Sequence, residues 1–405
     1  MKKSLLALAV LGAFAGTAHA QSGSITIYGA IDASLTYTNK IATGGKDSGS
    51  LTAVESGLVK GSRLGVKGSE DLGGGLKAIF TLENGFNVDN GGAGQGGLMW
   101  GRQTTVGLNG NFGTVLFGRQ NDPINDIGGI ASAGGFGVPG QVHSRGLDRT
   151  DGQRLNNSIR YNSPEFSGLS FSAIYGFGEQ VGRAVSGRAV GLGSQYVNGP
   201  LSIGLGYFQS KMGAGKDGSS DVNADAACKG AGSKDHAGDT CLKTWTLAAA
   251  YQFGPAKVYG AFSHVKLPLA KQLSKDPKYN KFTAMYDEKA ATGYMSDDST
   301  AFSIGGTNHQ SSQTFDIGAS YQLMPSLALM GSVQHTRAKF VGAHGGRLLQ
   351  LNLGAKYDLS KRTSAYALVR NLRSSDMYNV GLGKDQKPGI DRSQTAIGTG
   401  LIHSF

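Results

Sequence analysis

The sequence predicts an all-β fold: a 16-stranded antiparallel β-barrel built to cross a membrane. Three observations carry this. Apolar and polar positions alternate with a period of two, connections between the alternating segments are short and long in turn, and both ends of the mature chain read as strands. A period of two sends successive side chains to opposite faces of a strand. Terminal strands that pair close the sheet, which then has no free edge. Only helices and closed barrels satisfy their backbone groups inside a bilayer.

Residues 1–20 read as a secretory signal. Lys2 and Lys3 give the positive start, residues 5–16 the apolar core, and Ala18-His19-Ala20 a small-x-small cleavage site before Gln21. The apolar run is too short for a membrane anchor. Residues 21–405 are then one exported barrel domain.

The first strand sets Ile25, Ile27, Ile31, Leu35 and Tyr37 against Ser24, Thr26, Asp32, Ser34 and Thr36. Residues 62–69 set Leu64 and Val66 against Arg63 and Lys67, and a turn at 70–75 leads into 76–87. There Leu76, Ala78, Phe80 and Leu82 oppose Lys77, Thr81 and Glu83. Further short turns fall at 109–113, 164–168, 198–200, 254–256, 324–326 and 360–363, where Gly and Pro supply turn dihedrals and stop pairing. Eight longer connections lie between: 39–61, 88–97, 121–156, 179–188, 210–243, 267–312, 337–347 and 373–392. Seven short turns and eight long loops join sixteen strands, with both termini on the short-turn side, the pattern of an outer-membrane barrel. Alternation is imperfect over 98–109 and 364–372. The last strand, 394–405, ends on Phe405.

A soluble sandwich or propeller is the competing architecture. Aromatics at strand ends (Tyr37, Trp100, Tyr161, Tyr196, Trp245, Tyr321, Tyr357, Phe405) suit the interface girdles of a membrane barrel. Charges on the non-apolar faces, among them Arg63, Lys67, Lys77, Glu83 and Arg160, suit a wet lumen and not a dry core. The absence of a fixed-period repeat excludes a propeller. Hydrophobic content of 39% is low for a helical membrane protein, and 65 glycines fit a crowded lumen wall with tight turns.

The formal charge is +11, and without Lys2 and Lys3 the balance is 37 basic to 28 acidic residues. The basic residues are scattered and lack an aromatic platform, so a positive water-filled lumen is the better reading than nucleic acid. Cys228 and Cys241, with 12 residues between them in a polar loop, are expected to form a disulfide. No cofactor or metal set is evident. Asp221-x-Asn223-x-Asp225 has Ala226 where a calcium loop needs glycine, and Gly92-x-Gly94-x-x-Gly97 lacks the strand–helix context of a dinucleotide site. No Ser-His-Asp set can be argued from chain order, so the chain does not read as an enzyme.

The segments Ile25-Thr-Ile-Tyr-Gly29, Ser62-Arg-Leu-Gly-Val-Lys-Gly-Ser-Glu-Asp-Leu-Gly-Gly-Gly-Leu-Lys-Ala-Ile-Phe80, Gly113-Thr-Val-Leu-Phe-Gly-Arg-Gln120, Asn157-Ser-Ile-Arg-Tyr161 and His403-Ser-Phe405 carry a resemblance. The chain resembles the general diffusion porins of β-proteobacteria, the trimeric Gram-negative porins that include the neisserial ones. The resemblance spans the mature chain. It implies a bacterial outer-membrane homotrimer among lipid and lipopolysaccharide, with the third external loop, 121–156, folded into the lumen. It also implies that Phe405 is read by the barrel-assembly machinery.

A passive pore needs a narrow waist whose fixed charges act on passing ions; rings of Arg or Lys favour anions, and Asp or Glu favour cations. The resemblance places an arginine cluster at Arg63, Arg102 and Arg160, with Lys67, Lys77 and Arg154 as further candidates. Arg63 and Arg160 also lie on the polar face by alternation. Alternation from Val106 and Leu108 would turn Arg102 toward lipid, at a cost of ~2–4 kcal/mol at mid-bilayer, so a bulge or a rim position is expected there. Asp122, Asp126 and Glu83 are the candidate opposing acids. The expected function is diffusion of ions and small hydrophilic solutes with a weak anion preference. The alternatives are a substrate-specific channel, for which inward aromatics are sparse, and a surface adhesin acting through its long loops.

Overall fold

The computed structural model describes residues 23–44, 47–132, 147–211, 239–268, 309–340, 345–377, 379–382 and 392–405. Seventeen strand segments follow in chain order: β1 Ser24–Gly44, β2 Asp47–Ser56, β3 Arg63–Gly73, β4 Leu76–Gly85, β5 Gln103–Gly110, β6 Gly113–Asn121, β7 Arg154–Asn162 and β8 Leu169–Gly176. Then come β9 Ala189–Asn198, β10 Leu201–Lys211, β11 Thr240–Phe253, β12 Ala256–Lys266, β13 His309–Met324, β14 Leu327–Phe340, β15 Gly346–Asp358, β16 Thr363–Ser375 and β17 Ser393–Ser404. Both β2 and β3 pair antiparallel with β1, at Ala33–Gly44 and at Ser24–Ala30 respectively. They are two halves of one wall strand, interrupted at 57–62, so the barrel has sixteen strands.

Closure is by β1 against β17, from Ala30 opposite Ser404 to Thr38 opposite Ala396. Phe405 exchanges both backbone hydrogen bonds with Gly29, at 3.0 and 3.1 Å. The interruption at 57–62 is pinned from within. Asp32 of β1, fully buried, accepts from the N–H groups of Val59 (2.8 Å) and Lys60 (2.7 Å) and from the Tyr366 hydroxyl of β16 (2.6 Å).

One face of the wall is apolar and exposed, with Ile27, Leu35, Val106, Phe117, Leu205, Leu247, Ile317, Leu353, Ile397 and Leu401. The other carries buried polar groups such as Thr246, Ser263, Thr314, Gln334 and Gln350. At about 25 cal/mol per Å² such an apolar belt is stable only against lipid. Tyr161, Tyr321 and Tyr357 stand exposed beside short turns, and Tyr37 and Trp245 stand exposed farther along their strands.

Most of the expected first loop, 39–61, is strand. β1 continues to Gly44 and β2 starts at Asp47. Lys40 has φ +55° and the register shifts between Thr38 and Ile41, and the run Ile41-Ala42-Thr43-Gly44 shows no regular apolar–polar alternation to mark this extension.

Candidate pore constriction

Glu83 stands buried on the inner face of β4, opposite Gly65 of β3. Gly65 in turn faces Tyr28 of β1. A Cβ on Gly65 would lie 2.3 Å from the Tyr28 ring, so only glycine lets that ring cross β3 and donate its hydroxyl to Glu83 Oε2 at 2.9 Å. The other carboxylate oxygen receives Arg102 Nε at 2.6 Å. Lys67 lies over the same ring, 5.5 Å from its centroid.

Arg102 sits one residue before β5. The chain turns there, Gly101 N–H donating to Leu98 O, and the Arg102 N–H donates to Glu83 O at 3.1 Å. Regular alternation therefore does not govern it, and the lipid-facing orientation is avoided without a mid-strand bulge. Arg63 donates to Gly61 O at 3.0 Å, and Gly61 in turn lies against the Arg102 guanidinium. Arg154 donates to Arg102 O at 2.9 Å, and Arg119 to Gly101 O at 2.8 Å. Four arginines thus gather around the Gly101–Arg102 turn, and one of them, Arg102, binds the Glu83 carboxylate.

The composition of this group differs from the expected one. Arg154 and Arg119 join Arg63 and Arg102, whereas Arg160 is held by the third connection: it pairs with Asp126, donates to Asn121 O at 2.9 Å and to Asn162 Oδ1 at 2.9 Å. Arg119 escapes sequence reasoning because it shares parity with the outward Phe117. Gly118, at φ +122° beside a register shift in the β6–β7 pair, breaks that parity. Lys77 is exposed, near the short turn between β3 and β4.

The third connection begins with helix α1, Pro123–Ile130. Asp122 caps it, accepting from Ile124 N–H at 2.9 Å, with Pro123 preorganised in the first turn. The other Asp122 oxygen takes Arg149 Nη2 at 2.9 Å and Gln153 N–H at 3.1 Å. Burial pushes the Asp122 carboxyl up, while Arg149 and the backbone donors pull it back; burial likewise lowers Arg149. Asp122 is fully buried, so it closes the foot of the loop and does not face passing solute as the sequence suggested. Asp126, partly exposed, remains at the surface of α1.

α1 packs on β8 to β11. Ile127 and Ile130 fill the space over Gly204, where a Cβ would come within 2.8 Å of both. This is the face opposite the exposed Ile203 and Leu205. The return limb lies on β12 to β14: Ser312 donates to Leu147 O, Arg149 N–H to Ser263 Oγ at 3.4 Å, and Gln334 to Asp148 Oδ2 at 3.1 Å. The Arg149 guanidinium stacks on Phe208, 4.6 Å from its centroid. Among the described residues no group of three or more His, Cys, Asp or Glu could hold a metal.

A model of the Gram-negative porin family matches residues 7–377. The chain belongs to that family. This porin is 32% identical over 428 aligned positions to an outer membrane porin protein of Bordetella pertussis, covering all of both chains. It is 34% identical over 422 positions to outer membrane porin protein 32 of Delftia acidovorans, again end to end. Among solved structures, an anion-selective porin from Comamonas acidovorans superposes with a TM-score of 0.68 at 26% identity, over 95% of this chain and 100% of that one. The porin is a channel of the bacterial outer membrane, for passive diffusion. Cys228 and the stretch Asp221 to Asp225 lie outside the described residues; Cys241, buried on β11, is in the disulfide state.

Proposed function

We propose that this porin favours anions, that its third connection folds into the lumen as the constriction, and that Arg63, Arg102, Arg119 and Arg154 set the selectivity. The observation that carries the reading is four arginines gathered around the Gly101–Arg102 turn, with one acid, Glu83, paired to Arg102; these five groups carry a net of three positive charges. At ~10 Å in water each net charge is worth about 0.4 kcal/mol to a monovalent ion, so three give roughly tenfold discrimination. More distant loop charges are screened beyond about 10 Å at 0.1 M salt. The seating of α1 and of the 147–150 limb on the polar face of the wall supports the lumenal position. The Comamonas relative is an anion-selective porin, which agrees with the sign.

A homotrimer is part of the proposal, supported by a Vibrio cholerae neighbour of the same fold solved in trimer form. So are contacts with lipopolysaccharide, recognition of Phe405 during assembly and a disulfide of Cys241 with Cys228. The deciding experiment is the zero-current potential of refolded protein in a planar bilayer under a salt gradient. Reversal on the anion side in conductance steps of three supports the reading. Cation preference would overturn the role of the arginines while leaving the channel.

A further inference from the structure

The wall from β11 to β16 carries six cations on its outward face, all toward the ends of the strands that meet the long connections. Alternation fixes their direction. Lys243 lies two residues from the exposed Trp245, and Lys266 shares the face of the exposed Val258. Arg337 and Lys339 share the face of Val333, Arg347 that of Leu349 and Leu351, and Arg373 that of Val369. The register brings them together. Lys243 stands directly opposite Lys266, and Arg337 directly opposite Arg347. Ser311 alone separates Lys266 from Lys339 across the sheet, and Arg373 faces Leu349, two residues along from Arg347.

The wall does not balance these charges. None of the six forms an ion pair among the described residues. β11 to β16 hold two acids, both of the opposite parity: Asp316, which is buried, and Asp358, which pairs with Lys356. Like charges directly opposite each other weaken a sheet, so an anion outside the wall would relieve both pairs. Beside the cations, toward mid-wall, the outward positions turn apolar, with Trp245, Leu247, Phe315, Ile317 and Leu351 exposed and Tyr207 packed on Trp245 at 4.5 Å between ring centroids. At the short-turn end of the same strands the outward positions include Tyr251, Phe253, Tyr321, Leu323 and Tyr357, which carry no charge at neutral pH. The cations therefore mark one rim of the wall, the external one, because the long connections of an outer-membrane barrel lie outside. A phospholipid shared by both leaflets would call for cations at both rims. Cations at the external rim alone call for an anionic lipid confined to the external leaflet.

We propose that Lys243, Lys266, Arg337, Lys339, Arg347 and Arg373 bind the phosphates of lipid A, the anchor of lipopolysaccharide, with its acyl chains laid on the apolar rows beside them. This names the site of the lipopolysaccharide contact proposed above and rests on that reading. The two like-charge pairs are three strand spacings apart, about 15 Å. Two phosphates at opposite ends of one disaccharide reach both pairs through the long Lys and Arg side chains. Arg337 and Arg347 offer a phosphate paired N–H donors, and Lys243 and Lys266 offer compact point charges. The stems of these side chains lie along apolar wall while their heads stay at the polar boundary.

The test is native mass spectrometry of the refolded porin in detergent, titrated with bisphosphorylated lipid A, monophosphorylated lipid A and phosphatidylglycerol. The wild type should bind the bisphosphorylated form most tightly. Lys243→Gln with Lys266→Gln, and separately Arg337→Gln with Arg347→Gln, should each weaken that binding at least tenfold, at about fivefold per removed charge. Lys257→Gln removes a charge from the inner face, where Lys257 donates to Ser132 O at 2.8 Å, and should leave lipid binding unchanged. Conductance in a planar bilayer shows that each variant has folded. Unchanged affinity in both double variants would overturn the patch and leave a lipopolysaccharide contact elsewhere on the barrel. No binding of lipid A to the wild type would overturn the contact itself. Phosphatidylglycerol held as tightly as lipid A would overturn the assignment to lipid A. Reversal potentials should stay at the wild-type value in both double variants, since these side chains face away from the lumen. A shift toward cations would put them in the pore and overturn the proposal.

Discussion

The Arg102 guanidinium and the Glu83 carboxylate, 2.6 Å apart, fix each other's position as well as each other's charge. Glu83 is the acid that binds this arginine group directly, through Arg102, and Tyr28 holds its second oxygen. The wall therefore presents less positive charge than its arginine count suggests, in a fixed geometry.

Glu83→Gln should raise anion preference. It adds one net positive charge at the waist, worth about 0.4 kcal/mol or a factor of two in the permeability ratio. Reversal potentials under a salt gradient would show it, and a shift toward cations would contradict the assignment. The paired change Arg102→Gln with Glu83→Gln leaves the net charge untouched and should restore a ratio close to wild type.

Arg119→Gln should lower anion preference by a similar factor of about two. Its guanidinium lies at the Gly101 turn beside Arg102 and Arg154, and Arg154 feels its charge. An unchanged reversal potential with altered stability would reduce Arg119 to a tie between β6 and the turn.

Asp122→Ala should destabilise the third connection strongly. Loss of the cap costs about 1 kcal/mol. Breaking the buried pair with Arg149 costs a further ~3–5 kcal/mol. Conductance noise and the unfolding midpoint in urea would both report the change. Adding Arg149→Met to Asp122→Ala should recover a large part of the loss, because the stranded charge is then gone.

Gly65→Ala should displace the Tyr28 ring, since a Cβ there would sit 2.3 Å from it. Overpacking of this kind costs ~1–3 kcal/mol. Tyr28→Phe removes only the hydrogen bond to Glu83, about 1 kcal/mol. Urea unfolding should therefore rank Gly65→Ala below Tyr28→Phe; the reverse order would mean that the ring moves freely.

The barrel was legible because its outer face must be apolar and its inner face polar, which writes a period of two along each strand. Legibility failed where that constraint lapses. Beyond Thr38 the positive φ of Lys40 and the register shift break the period of two, so the extension of β1 and β2 left no clear trace in the pattern. Arg63 and Glu83 could be placed by parity, because β3 and β4 are regular there. Arg119 and Arg154 could not, because the register of β6 with β7 shifts between them and the regular pairing. The third connection was singled out by the family resemblance, since other connections are as long, and which of its carboxylates is buried depends on packing. Asp122 and Asp126 lie four residues apart, and only the fold makes one a buried cap and the other a partly exposed partner of Arg160.

The three bonds gathered by Asp32 bear on how the barrel finds its correct closure. The first strand, the interruption of the second wall strand and the penultimate strand meet at one carboxylate, directly inside the β1–β17 seam. A slip of one residue at that seam would exchange the two faces of β1. Asp32 would then turn to hydrocarbon, and Tyr366 and two backbone N–H groups would be stranded in its place. Misregistered closure is thus penalised by several unmet polar groups at once, so the seam carries its own error check, independent of whatever machinery inserts the chain.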